Sequence, residues 1–206
     1  MSARIEYFFT LVSPYAYLGH AALMALAARH GATVAPRPVK MVEVFRAAGG
    51  VPLGQRAAAR QRYRFIELQR ARAERALPLN LQPKFFPVDG SLADRCACVL
   101  IAQGHDVSEF MLSAFRTLWV EDGNLADVAT LSALLARHGF DAGATLAQAD
   151  AEAAQALYEQ NTQAAIAFDL PGLPGYVLQG EPFWGQDRLD ALDAALRSGR
   201  TPYRAP

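Results

Sequence analysis

The stretch Phe8-Phe9-Thr10-Leu11-Val12-Ser13-Pro14-Tyr15-Ala16-Tyr17-Leu18 passes from an apolar run into a helix-forming one. Residues 5–9 read as a buried strand, and an alanine- and leucine-rich stretch then continues to His30-Gly31. Serine is a favoured N-cap, and proline is favoured at the first helical position. Ser13 therefore falls where a strand stops and a helix starts. Its hydroxyl lies beside unpaired backbone N–H groups and the positive end of the helix dipole, roughly half an elementary charge. A fold can hold an anion such as a thiolate at that place. Most Ser-Pro pairs at helix starts are only caps, and this stretch alone does not separate the two roles.

Outward from this point, residues 4–10 read as strand, 14–30 as helix and 33–39 as a second strand, with Gly31 closing the helix. A β-α-β opening implies a parallel pair joined by a right-handed crossover. From 42 to about 168 the pattern is almost wholly helical. A short helix over 40–48 precedes a long one over 55–76, and helices follow at 91–103, 106–120, 126–138 and 146–168. Pro83, Pro87 and Gly90 bracket an irregular segment that carries Phe85 and Phe86. After Leu170 strands return: 176–178, a turn over 179–182, and a return strand from Phe183-Trp184. A last amphipathic helix spans 189–196, and the tail after Gly199 reads as loose. The expected architecture is α/β: a thioredoxin-like four-stranded mixed sheet, from residues 1–40 and 169–206, with an inserted all-helical subdomain over 41–168.

Composition narrows the function. The chain has 206 residues, 20 basic and 20 acidic, for a net charge of +0. No basic stripe stands out, which argues against nucleic acid as a partner. No apolar run is long enough for a membrane span, and no signal peptide is read, so a cytoplasmic location is expected. Cys96 and Cys98 stand two apart on a helix and point to different faces, so they form neither a redox pair nor a metal clamp. The four histidines are dispersed, and no metal-ligand spacing appears.

In a thioredoxin fold the reactive position is the start of the first helix, where redox members place Cys-x-x-Cys. Here the four residues are Ser13-Pro14-Tyr15-Ala16. Serine holds the attacking position and alanine the resolving one, so the sulfur must come from a ligand. The second signal is Pro171-Gly172-Leu173-Pro174-Gly175-Tyr176. A proline before this strand fits a cis-proline, and Leu173 would then offer its N–H and C=O to a peptide-like ligand. A plain Pro-Gly turn is the competing reading. The third is Phe183-Trp184-Gly185-Gln186-Asp187-Arg188-Leu189. Asp187 is read either as an N-cap or, with Gln186, as an acceptor for an α-amino group.

Together, Ser-Pro-Tyr-x-Tyr-Leu, Gly-Leu-Pro and Trp-Gly-Gln-Asp-Arg-Leu resemble the 2-hydroxychromene-2-carboxylate isomerase family, which is close to the kappa-class glutathione transferases and DsbA-like in fold. The resemblance runs from about residue 5 to 196. It implies a glutathione-dependent isomerase of aromatic catabolism, dimeric like its relatives, that interconverts 2-hydroxychromene-2-carboxylate and trans-o-hydroxybenzylidenepyruvate. It implies Ser13 as the active-site serine, and Leu173, Pro174, Trp184, Gly185, Gln186 and Asp187 as glutathione-binding. Gln55-Arg56 lies where the family has Asn-Arg, and Phe86 lies near a family tyrosine, so these three are the implied substrate-binding residues. The chain also departs from the family at Gly50, where Asn is usual, and at Gly175, where Thr is preferred. A transferase that conjugates an electrophile, and a non-catalytic glutathione-binding protein, remain alternatives.

Overall fold

Ile5, Tyr7 and Phe9 of β1 (Arg4–Phe9) are fully buried, and so is Phe8 between them. Both faces of this strand are covered, which is why the sequence runs apolar instead of alternating. The computed structural model describes residues 2–205. β1 pairs in parallel with β2 (Thr33–Pro38), Arg4 opposite Thr33, across the helix α1 (Pro14–His30). β3 (Gly175–Leu178) runs antiparallel to β1, Phe8 opposite Gly175, and β4 (Glu181–Trp184) runs antiparallel to β3. The sheet order is β2-β1-β3-β4. This is the expected thioredoxin-like mixed sheet.

Ser13 caps α1 as its position predicts, and Gly31 closes the helix at φ 58°. Between β2 and β3 lie α2 (Met41–Ala47), a 3-10 turn (Leu53–Gln55), α3 (Ala58–Glu74), α4 (Ser91–Ala102), α5 (Ser108–Trp119), α6 (Val128–Arg137), α7 (Ala142–Ala149) and α8 (Glu152–Ala167). After β4 come a second 3-10 turn (Gln186–Arg188) and α9 (Leu189–Ser198). Ile5, Tyr7 and Phe9 pack on one sheet face with Tyr17, Leu23, Phe115 and Trp119. Phe8 packs on the other face with Val39, Val44, Ala165, Leu173 and Val177.

Four expectations are corrected. The long helix begins at Ala58 and not at residue 55, because Arg56 and Ala57 are extended, with ψ 150° and 139°. It ends two residues early, where Ala76 turns left-handed at φ 51°. The helix expected over 146–168 is two helices: Asp141 caps α7 by accepting from the Ala144 N–H, and Ala151 is extended at ψ 154°. The hairpin turn is only Gln179-Gly180, both at positive φ, so β4 starts at Glu181. Two residues of that geometry match the right-handed twist of the flanking strands. The tail is also held down. Arg200 donates to both Glu181 oxygens at 2.7 and 2.8 Å, the Tyr203 N–H donates to the same carboxylate at 2.9 Å, and the Arg200 guanidinium lies 3.6 Å from the Tyr203 ring centre.

Glu181 is buried, and the Arg200 bond holds its carboxyl below the ordinary value. Glu181→Ala should free the tail and cost about 1.5–3 kcal/mol, the range for bonds to a charged group. Amide exchange at Tyr203 should quicken markedly. Unchanged exchange there would show that the tail is held by other contacts.

Candidate functional site

The site forms where β1 runs into α1. Ser13 is 4% exposed, and its Oγ accepts from the Ala16 N–H at 3.2 Å. Its hydroxyl proton has no acceptor among the described residues, and Tyr15, in the first turn, has no partner for its N–H. Proline has no N–H to offer at position 14. The helix start therefore keeps one O–H and one N–H for an incoming anion.

A buried carboxylate fixes the loop that carries Ser13. Asp94, in the first turn of α4, accepts from the Leu11 N–H at 2.8 Å and from Thr10 Oγ1 at 2.7 Å. Tyr158 of α8 lies 2.9 Å from Asp94 Oδ2 and 3.1 Å from the Val39 carbonyl. One phenolic proton serves only one of those acceptors. A protonated Asp94 resolves the conflict, because the acid then donates to Tyr158 and Tyr158 donates to Val39. Burial pushes the Asp94 carboxyl up to about 7, against the pull of bonds from Leu11, Thr10 and Tyr158. Beside Asp94 is a cavity of about 580 Å³ lined by Val12, Lys40, Arg46, Gly90, Arg95 and Tyr158 among others, which stops one residue short of Ser13. Two of its cations already have partners, Lys40 on Glu43 and Glu159, and Arg95 on Asp150. The third, Arg46, is exposed.

Leu173-Pro174 is cis. Extending the β1–β3 register by two positions sets Leu173 opposite Thr10, three residues before Ser13. The Leu173 side chain is buried on Phe8 and Val44, while its N–H and C=O have no partner among the described residues. The Gly185 N–H donates to the Pro174 carbonyl at 2.9 Å, which joins the Trp184–Asp187 stretch to the cis-proline. Gly185 stands at φ 103°, and a Cβ there would collide with Asp187 Oδ1. Gln186 packs against α1 at Gly19, where a Cβ would sit 2.9 Å from the Gln186 Cβ.

The structure thus brings Ser13, Leu173, Pro174, Gly185, Gln186 and Asp187 to one end of the sheet. Trp184 is half exposed there, and a Cβ on Gly172 would sit 2.8 Å from its Nε1 and 2.9 Å from Phe45 Cε1. One role changes. Arg75, at the end of α3, donates to Gln186 Oε1 at 2.8 Å and to its carbonyl at 2.9 Å. The amide oxygen expected to serve an α-amino group already accepts from Arg75, so one of its lone pairs and the amide nitrogen are what Gln186 has left to present. Asp187 stays exposed, paired with Arg188 at 2.7 Å. It does not cap α9, whose N-cap is Arg188.

The substrate-side residues are more scattered. Gln55 is exposed and its side chain has no partner among the described residues. Arg56 donates to the Val51 carbonyl at 2.7 Å, with its guanidinium 5.7 Å from the Phe45 ring centre. Phe86 lies tilted against Trp119, ring centres 4.8 Å apart at 49°, and under Arg64 at 5.4 Å. Arg64, Arg75, Asp94 and Phe45 were missed in the sequence, because their partners lie far along the chain and no motif marks them. Cys96 and Cys98 are both buried, and burial raises each thiol, Cys96 to about 12. Among the described residues no helix is long and apolar enough to cross a membrane, and no cluster of three metal-ligating side chains exists.

The DSBA-like thioredoxin domain model matches residues 4–197. A 2-hydroxychromene-2-carboxylate isomerase of Sphingobium xenophagum is 28% identical over 95% of this chain and 99% of its own. A solved structure of 2-hydroxychromene-2-carboxylate isomerase superposes with a TM-score of 0.77 at 24% identity, covering 95% of each chain. The cytosolic disulfide reductase DsbM of Pseudomonas aeruginosa with GSH gives 0.66 at 20% identity, over 95% of this chain and 98% of that one.

The raised Asp94 carboxyl makes a prediction with a definite sign. Between the ordinary carboxylate value near 4 and about 7, the folded chain holds a proton that the unfolded chain has released. The stability Asp94 supplies is full below the unfolded pKa and is lost as pH rises through the folded one. Asp94→Asn keeps an acceptor for Leu11 and a donor for Tyr158, without a charge. Urea unfolding at pH 4, 5, 6 and 7 should show the parent losing a few kcal/mol relative to Asp94→Asn, at about 1.4 kcal/mol for each tenfold difference in proton affinity between the folded and unfolded chain. A constant difference across that range would mean that Asp94 is not neutral in the fold at low pH.

Proposed function

The chain belongs to the DsbA-like thioredoxin domain family, and on that footing we propose that it is a glutathione-dependent isomerase of a small aromatic keto acid. The substrate pair proposed is 2-hydroxychromene-2-carboxylate and trans-o-hydroxybenzylidenepyruvate. The observation that carries the reading is Ser13: a helix cap with a spare proton, standing where a disulfide enzyme needs cysteine, in a chain whose own thiols are buried. The name carried by the relatives supports the reaction, and the GSH complex of DsbM supports the ligand on this fold.

The residues present fit glutathione. Leu173 has an unused backbone donor and acceptor for a cysteinyl backbone, as in strand addition. Asp187 offers a carboxylate to the γ-glutamyl amine. The N–H groups of the 3-10 turn and the Gln186 amide nitrogen suit the adjoining carboxylate. Trp184 lies over Gly172 as a wall. Bound glutathione would supply a thiolate that adds reversibly to the conjugated pyruvyl system and lets the former double bond rotate.

What the protein must do is keep that sulfur ionised. A free thiol has a pKa of about 8.5, and lowering it to about 6.5 requires roughly 2.7 kcal/mol. Donation from the Ser13 hydroxyl provides about 1.5–3 kcal/mol, and the helix end adds about 0.5–2. The sum suffices without a general base.

Ser13→Ala should therefore keep the fold and lower kcat about 10- to 100-fold, with the thiolate absorbance of bound glutathione appearing only at higher pH than in the parent. Glutathione should not be consumed as trans-o-hydroxybenzylidenepyruvate is isomerised. Full turnover by Ser13→Ala at saturating glutathione would remove Ser13 from the mechanism. Stoichiometric loss of glutathione into a product, with this substrate or with 1-chloro-2,4-dinitrobenzene alone, would make the chain a conjugating transferase.

A further inference from the structure

Helix α3 presents Arg64, Leu68, Ala71 and Arg75 at spacings of four, three and four, a single face. Leu68 and Ala71 are buried in the middle of it. Arg75, at one end, is fully engaged on Gln186. Arg64, at the other end, has no hydrogen bond or ion pair among the described residues. Every other half-buried arginine reaches a protein oxygen, as Arg37 does on Glu6, Arg95 on Asp150 and Arg200 on Glu181. Arg64 instead meets the face of Phe86 at 5.4 Å, the phenol of Tyr15 and the like charge of Arg56. Tyr15 is the second residue after Ser13, so this cation sits at the mouth of the site.

We propose that Arg64, with Arg56 beside it, is the seat for the carboxylate of the aromatic acid on which the Ser13 site acts. This rests on the reading above for what the site does, though the seat itself needs no glutathione. A partly desolvated guanidinium without a counter-charge is costly, and an anion relieves it. Loss of water around Arg64 lowers its pKa, the Tyr15 phenol opposes that, and the neighbouring Arg56 lowers it further. The planar guanidinium fork matches a carboxylate bidentately. The aromatic preference comes from the walls: Phe86 under Arg64, Phe45 under Arg56, and Trp184 next to Phe45 across Gly172. Arg56 keeps part of its fork on the Val51 carbonyl, so Arg64 is the member with its whole fork to give. A flat anion with a conjugated ring suits these surfaces, and a hydrated spherical anion leaves them uncovered.

The test is direct binding without glutathione, by calorimetry, of trans-o-hydroxybenzylidenepyruvate and of its methyl ester. Arg64→Gln should weaken the acid about 10- to 100-fold. The ester should change less than twofold, and so should glutathione measured separately. Arg64→Lys should recover part of the acid's affinity, since it restores charge without the fork. Arg60→Gln, one turn away and exposed, makes the same change in net charge and should bind the acid like the parent. Equal losses for Arg60→Gln and Arg64→Gln would overturn the seat in favour of a diffuse field. Equal loss of acid and ester, loss of glutathione binding instead, or displacement of the acid by inorganic phosphate at comparable concentration would each overturn it too. So would a parent protein that does not bind the acid at millimolar concentration. A chain that binds the acid through Arg64 yet lacks glutathione-dependent turnover would leave the seat standing and defeat only the isomerase reading.

Discussion

The loop between β1 and α1 depends on one buried carboxyl group. Asp94 reaches it from a helix more than eighty residues further along, and takes both the Leu11 amide and the Thr10 hydroxyl. Through Tyr158 the same group touches the end of β2 at Val39. Four segments distant in sequence thus meet on a single side chain just before Ser13. Buried polar groups of this kind are costly unless every member is partnered, and fully partnered they specify one arrangement. The geometry of the helix start is inherited from this junction, because a cap acts on an anion only where the backbone ahead of it is held.

A second constraint works from the other side. Arg75 grips Gln186 by its side chain and its carbonyl, and the bare Cα of Gly19 lets that turn lie directly on α1. The turn after β4 is therefore clamped between α1 and α3. The bond from Gly185 to Pro174 carries this rigidity to the cis-proline. Groups held this way have little freedom left to lose, which would favour affinity for a ligand seated there without added contacts. α3 consequently does two jobs along one face: it fastens the wall at Arg75 and leaves a charge unspent at Arg64.

Much of this was legible in the sequence for physical reasons. The apolar run 5–9, the Ser-Pro step and Gly31 are local signals, and each is read through a geometry that needs no distant partner. Ser13, Leu173 and the Trp184–Asp187 stretch could be placed because they stand at element boundaries, where local sequence marks the position. The breaks in the helices were harder. Ala57 and Ala151 are extended although alanine favours helix, because each is the N-cap of the helix that follows it, a position with non-helical backbone that alanine does not advertise. The grip of Arg75 on Gln186 and the tie of Arg200 to Glu181 were invisible for the same reason that Asp94 was: an arginine in a helix or tail reads as a solvated charge until its partner is in view. The DsbA-like family match over 4–197 agrees with the part that local signals carried.

Cys96 and Cys98 have a consequence of their own. With both sulfurs buried and their protons held tightly, peroxide or a disulfide in the surrounding medium meets no accessible thiol among the described residues. Shifts in thiol redox poise therefore find no target on the described part of the chain, and a strong oxidant is left the half-buried thioethers of Met24 and Met41.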